Sequence, residues 1–149
     1  MLSILNSIYA KHKNGLVQLI FLADAVDRLI NRGYSVSDVE ILNNSFTALQ
    51  KEFFVLCENE EAYLFPIFFN ENKFEQVELL KKEHLQIQEI LRSVQSSIDL
   101  INHSQLNDGL LTKLKYAVKN LNLYISSHLQ NENKLFPEAN KKFTVKKSG

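Results

Sequence analysis

Three histidines, two glutamates and a cysteine occupy positions where a helical core should be apolar. The chain has only four histidines. Three of them, His12, His84 and His128, fall on apolar stripes of helical period, as do Cys57, Glu61 and Glu132. An ionised carboxylate is costly to bury alone, and two near one another cost more unless cations lie between them. Imidazole, carboxylate and thiolate on one buried level form the donor set of a metal site. The i,i+4 pairs Cys57/Glu61 and His128/Glu132 each send both side chains the same way. Taken singly the residues read more blandly. A lone histidine is usually a satisfied core group, and Cys57 alone is a small buried hydrophobe. A helix phase one position off would turn Glu60 inward and Glu61 out.

The chain also repeats itself. Residues 128–137 read HLQNENKLFP and residues 57–66 read CENEEAYLFP. Aligned on Pro66 and Pro137, they share Glu61/Glu132, Leu64/Leu135 and Phe65/Phe136, with Cys57 opposite His128.

Four helices must position these groups. The first stripe runs Leu5, Ile8, His12, Leu16, Leu19, Ala23, Val26, Ile30 and ends at Gly33, a C-cap residue. The second opens on the capping-box pattern Ser37-Asp38-Val39-Glu40 and runs Leu42, Phe46, Leu49, Phe53, Cys57, Glu61, Leu64 to about Phe69. The third begins near Lys73 and runs Val77, Leu80, His84, Ile87, Leu91, Val94, Ile98, Ile101. The fourth begins near Asn107 and runs Leu114, Val118, Leu121, Ile125, His128, Glu132, Leu135. Links at 33–36, 70–72 and 102–106 are short, so neighbouring helices are antiparallel. The expected fold is all-α, an up-down-up-down antiparallel four-helix bundle. In it the starts of the first and third helices share a level with the ends of the second and fourth. At ~1.5 Å per residue all six polar groups then fall in one slab of the core. Pro66 and Pro137, late in their helices, each remove a backbone hydrogen bond and bend the last turns.

Composition bounds the function. The 149 residues suit one domain over 1–140, with a basic tail at 141–149 holding Lys141, Lys142, Lys146 and Lys147. Seventeen basic and seventeen acidic residues cancel, which argues against a nucleic-acid binder. A single cysteine excludes an intrachain disulfide framework. No signal peptide and no membrane span is expected, and the expected setting is cytoplasmic.

With these residues in view, the chain resembles the hemerythrin-like family, the histidine/histidine/glutamate cation-binding four-helix domains, over about residues 2–140. The family pattern resembles two copies of one unit: a His early in one helix, then His-x-x-x-Glu before Leu-Phe-Pro in the next. The second unit is complete in His84, His128, Glu132 and Leu135-Phe136-Pro137. The first has His12, Cys57, Glu61 and Leu64-Phe65-Pro66. The resemblance implies a non-haem di-iron site with bridging carboxylates, held by His12, Cys57, Glu61, His84, His128 and Glu132. Zinc or no metal are the alternatives. Two positions depart from the family: Cys57 stands in place of a histidine, and Gln88 in place of the second helix-3 histidine of oxygen carriers. A thiolate at Cys57 would ligate metal and enrich it in electrons; a protonated one would be a lost ligand.

Three functions follow as expectations. The first is a metal protein that binds or senses oxygen, nitric oxide or peroxide, working with a protein partner or as a homodimer. The second is an enzyme of iron–sulfur centre repair or of nitric oxide or peroxide reduction. The third is a metal-free interaction module.

Overall fold

In the computed structural model, side chains are described for residues 8, 10–70, 72–103 and 106–135. The expectations for Leu5, Phe136, Pro137 and the tail lysines lie outside the described residues. The chain forms α1 (Leu2–Arg32), α2 (Val36–Asn59), a π-helical segment (Glu60–Leu64), α3 (Phe65–Asn70), α4 (Phe74–His103) and α5 (Asp108–Ser148). The helix α2, the π segment and α3 follow without a break, so the architecture is four rods, with no strand among the described residues. No helix among them is long and apolar enough to cross a membrane.

The rods alternate in direction. Along α1 and α2, Lys11 meets Glu52 and Arg28 meets Asp38. Along α1 and α5, His12 meets Glu132 and Asp27 meets Lys115. Between the second rod and α4, Asn43 meets Asn102 while Glu60 meets His84. Each pairing joins an early residue of one rod to a late residue of the other. The expected antiparallel bundle is therefore the one formed.

The stripes of α4 and α5 bury as read: Val77, Leu80, Ile87, Leu91, Val94, Ile98 and Ile101 on one, Leu114, Val118, Leu121, Ile125 and Leu135 on the other. Each such side chain contributes roughly 1.5–3 kcal/mol on burial. Gly33 closes α1 at φ +85 and donates its N–H to Leu29 O at 3.2 Å, a left-handed cap that a side chain would strain. Asn107 caps α5, its Oδ1 accepting from Leu110 N at 2.8 Å.

Two local expectations are corrected. The cap of α2 is Ser35 rather than Ser37: helix begins at Val36, and Ser35 accepts from Asp38 N at 3.4 Å. Asp38 is freed to turn inward and accept from Arg28 Nε at 2.8 Å. The second correction is the π segment, where Phe65 N–H reaches back to Glu60 O. Pro66 has no N–H, and its ring would press on the carbonyl of Ala62 in a regular helix. A widened turn with one extra residue relieves this just before the proline.

Ser35→Ala should lower stability by about 1 kcal/mol, read as a shift in denaturant midpoint. Ser37→Ala, at an exposed first-turn position, should shift it much less. Equal effects would contradict the observed cap.

Candidate metal centre

Each rod brings polar groups to one level of the core. His12 comes from α1, Glu60 from the end of the second rod, His84 and Glu83 from α4, and His128 and Glu132 from α5. Glu60 and Glu132 are 0 % exposed, and His84 and His128 are 1 % exposed. The His12 side chain is 11 % exposed. Side walls are aromatic: Phe65 stacks on the His84 ring at 5.5 Å, and Phe53 meets it edge-on at 6.0 Å.

The two carboxylates lie between the histidines and turn one oxygen to each side. Glu132 Oε2 is 2.9 Å from His12 Nε2, and its Oε1 is 2.6 Å from His128 Nε2. Glu60 Oε1 is 3.5 Å from His12 Nε2, and its Oε2 is 3.7 Å from His84 Nε2. One side therefore offers His12 and two oxygens; the other offers His84, His128 and two oxygens. On the second side, ligand atoms from Glu60, His84, His128 and Glu132 all lie within 4.8 Å of one another.

Short as these contacts are, they do not have hydrogen-bond geometry. Among the described residues, the buried side-chain nitrogen and oxygen atoms lacking a hydrogen-bond partner are His12 Nε2, both oxygens of Glu60, both ring nitrogens of His84, His128 Nε2 and both oxygens of Glu132. All belong to this one layer. Buried polar atoms are normally satisfied, so a concentrated set of orphans calls for an unseen partner. Borderline nitrogen and hard oxygen donors converging in this way fit divalent metal.

Without metal, protons must do that work. Burial lowers the affinity of His12 for a proton, but the carboxylates of Glu132 and then Glu60 more than reverse this, and its pKa is raised to about 9. His128 is likewise opposed by burial and carried up to about 9, chiefly by Glu132. Burial, and then the facing charge of Glu132, push Glu60 up. Glu132 is opposed by burial yet held well below the usual carboxylate range by Glu60, His12 and His128. The metal-free layer is thus a compact set of shared protons.

Four of the six residues expected from sequence, His12, His84, His128 and Glu132, come together here. The helix-2 carboxylate in the core is Glu60, not Glu61. The Glu61 side chain is 44 % exposed and only skirts the layer, its Oε1 3.7 Å from His84 Nδ1. Helix phase carries the signal. At about 100° per residue, seven residues from Phe53 bring Glu60 back to within ~20° of the core face, whereas Glu61 lies ~80° away. Alignment on Leu-Phe-Pro hid this, because the π segment adds one residue between the carboxylate and Leu64. Counted from Glu60, the residue one turn earlier, in the place of His128, is Leu56. Cys57 is buried and unpaired by disulfide, and it does not belong to the four-residue set. Burial, then the charges of Glu60, Glu61 and Glu132, push its thiol far up, so without metal it stays protonated.

Glu83 is a residue that sequence reading missed. His128 Nδ1–H donates to Glu83 Oε1 at 2.9 Å, and Asn131 Nδ2 donates to Glu83 Oε2 at 2.6 Å. This fixes the tautomer that leaves His128 Nε2 bare toward the layer. Its position beside His84, off the apolar stripe, gave no sign of this contact.

The family model described as the hemerythrin HHE cation binding domain matches residues 3–139. No curated protein and no solved structure matches the chain significantly.

His12 and His128 have folded pKa values of about 9 against 6.5 unfolded. A raised folded pKa gives stability that is complete below about 6.5 and lost as pH rises through about 9. The melting temperature of metal-free protein should therefore fall between pH 7 and 9.5. Metal requires neutral imidazoles, so titrating metal near pH 7 should release protons, seen as buffer-dependent heats in calorimetry. Heats independent of the buffer would contradict the shared-proton layer.

Proposed function

Because the chain belongs to the hemerythrin HHE cation-binding domain family, we propose that it is a two-metal, non-haem iron protein that binds or senses a small diatomic ligand. The family match and the buried His/Glu group support a hemerythrin-like metal-binding protein. The observation that carries the finer reading is the split of the two carboxylates: each of Glu60 and Glu132 faces His12 with one oxygen and the His84/His128 side with the other. Such oxygens suit two cations rather than one. His12 with one oxygen from each carboxylate would hold the first metal; His84 and His128 with the remaining oxygens would hold the second. Iron is favoured by mixed imidazole and carboxylate donors and by the family's implied chemistry.

Iron would supply a redox-active Lewis acid within reach of small ligands. The chain's own residues do the rest. Glu60 and Glu132 offset the metal charge inside an apolar bundle. Glu83 accepts the Nδ1 proton of His128 and so directs its other nitrogen inward. Phe53 and Phe65 wall off His84 from water. Leu56, where a fourth imidazole would stand, leaves the His12 side one protein donor poorer than the other. A ligand-binding or sensing role suits that inequality, in a cytoplasmic setting and with a protein partner or second copy to carry the signal.

Metal counting by plasma mass spectrometry tests this. Wild type reconstituted with ferrous iron should hold about two irons per chain, the complement that two carboxylate-bridged centres require. Glu60→Ala and Glu132→Ala should lose most of it, while Glu61→Ala should retain it. One iron in wild type would overturn the two-metal reading. Loss in Glu61→Ala with retention in Glu60→Ala would overturn the assignment of the bridging carboxylate.

A further inference from the structure

The His84 ring lies between two consecutive glutamates. Its Nε2 is 3.7 Å from Glu60 Oε2, and its Nδ1 is 3.7 Å from Glu61 Oε1. Glu60 and Glu61 open the π segment. Successive side chains on a helix diverge by roughly 100°, so the two pass on opposite sides of the ring. Glu60 enters the core, while the Glu61 side chain is 44 % exposed.

The His128 ring is bracketed in the same way. Its Nε2 meets Glu132 Oε1 at 2.6 Å inside the layer, and its Nδ1 meets Glu83 Oε1 at 2.9 Å outside it. Each of these two imidazoles thus has one inner carboxylate and one outer. The outer contacts differ in a single respect. Glu83 accepts a hydrogen bond from His128, whereas Glu61 stands too far from His84 for one, and His84 Nδ1 is buried with no hydrogen-bond partner.

We infer that Glu61 is the outer carboxylate of His84, accepting a hydrogen bond from its Nδ1–H once the layer holds metal, and so fixing the tautomer of that ring and strengthening it as a donor. This rests on the metal-binding reading above. A ligating imidazole is neutral; it holds metal through one nitrogen and keeps its proton on the other. That proton is ordinarily given to a carboxylate, a carbonyl or water. With Nε2 turned to the layer, the His84 proton belongs on Nδ1, where burial makes an unmet N–H costly. Glu61 is the carboxylate beside it. A movement of under about 1 Å brings Oε1 from 3.7 Å into the range of an N–H···O bond, and a half-exposed side chain is not wedged in the core. Glu61 is therefore a positioning residue: it acts through His84 and holds no metal itself.

Zinc, a diamagnetic probe, lets nitrogen-15 NMR of the histidine rings test this. In zinc-loaded wild type, His84 should show one tautomer, its proton on Nδ1, shifted downfield and slow to exchange with water. In Glu61→Ala that proton should move upfield and exchange faster. Zinc affinity should fall by about tenfold, with the number of ions bound at saturation unchanged. Glu61→Gln, which keeps an acceptor without the charge, should restore most of the slow exchange. Glu58→Ala removes an exposed glutamate from the same rod and should alter neither readout. A His84 Nδ1 proton indifferent to Glu61→Ala, or zinc binding weakened equally by Glu58→Ala, would overturn the role of Glu61 while leaving the metal-binding reading in place. Wild type that takes up neither zinc nor ferrous iron would overturn that reading and this inference with it.

Discussion

Everything in this fold turns on two carboxylates facing one another in the core. Glu60 and Glu132 are fully buried, in a layer bounded by Phe53, Phe65 and leucines. Isolated charges there would cost several kcal/mol each. The chain meets that cost with three imidazoles, and the orphaned atoms show that imidazoles alone do not satisfy the layer. Protons or cations must complete it. The same feature that makes the layer expensive for an empty bundle suits it to metal: cations would neutralise both carboxylates at once and displace the protons that His12 and His128 otherwise hold.

The apolar bundle around the layer makes this cost tolerable. Antiparallel rods place the beginnings of α1 and α4 beside the ends of the second rod and α5, so four rods each bring polar groups to one height. Among the described residues, buried leucine, isoleucine, valine and phenylalanine side chains pack the rods together around that layer. The Glu83–His128 contact extends the layer outward by one hydrogen bond, which ties the tautomer of a buried ring to a partly exposed carboxylate.

The two halves of the bundle are related but unequal, and the inequality has a structural cause. In α5, His128 and Glu132 stand one turn apart ahead of Leu135. In the second rod, the π segment before Pro66 inserts a residue between the carboxylate and Leu64, so Glu60 becomes the counterpart of Glu132 and Leu56 the counterpart of His128. The imidazole missing from the first half is thus replaced by an apolar side chain, and a small cavity beside His12 opens against that leucine. Cys57, adjacent to it, is buried, and burial with the nearby carboxylates keeps its thiol protonated in the metal-free layer.

Much of this was written in the sequence. The stripes of α4 and α5, Gly33 as a left-handed cap, Asn107 at the start of α5 and the inward placement of His12, His84, His128 and Glu132 all follow from helical period and local chemistry. These depend on spacing within a single helix, which sequence encodes directly. Glu60 was itself legible in the regular period counted from Phe53; the wide turn before Pro66 hid it by shifting the Leu-Phe-Pro repeat by one residue. Tertiary structure decided the rest. That Glu83 supports His128 and that Leu56 faces the layer depended on side chains from different rods meeting across the bundle. Those meetings are fixed by how the rods pack, and no single stripe records them.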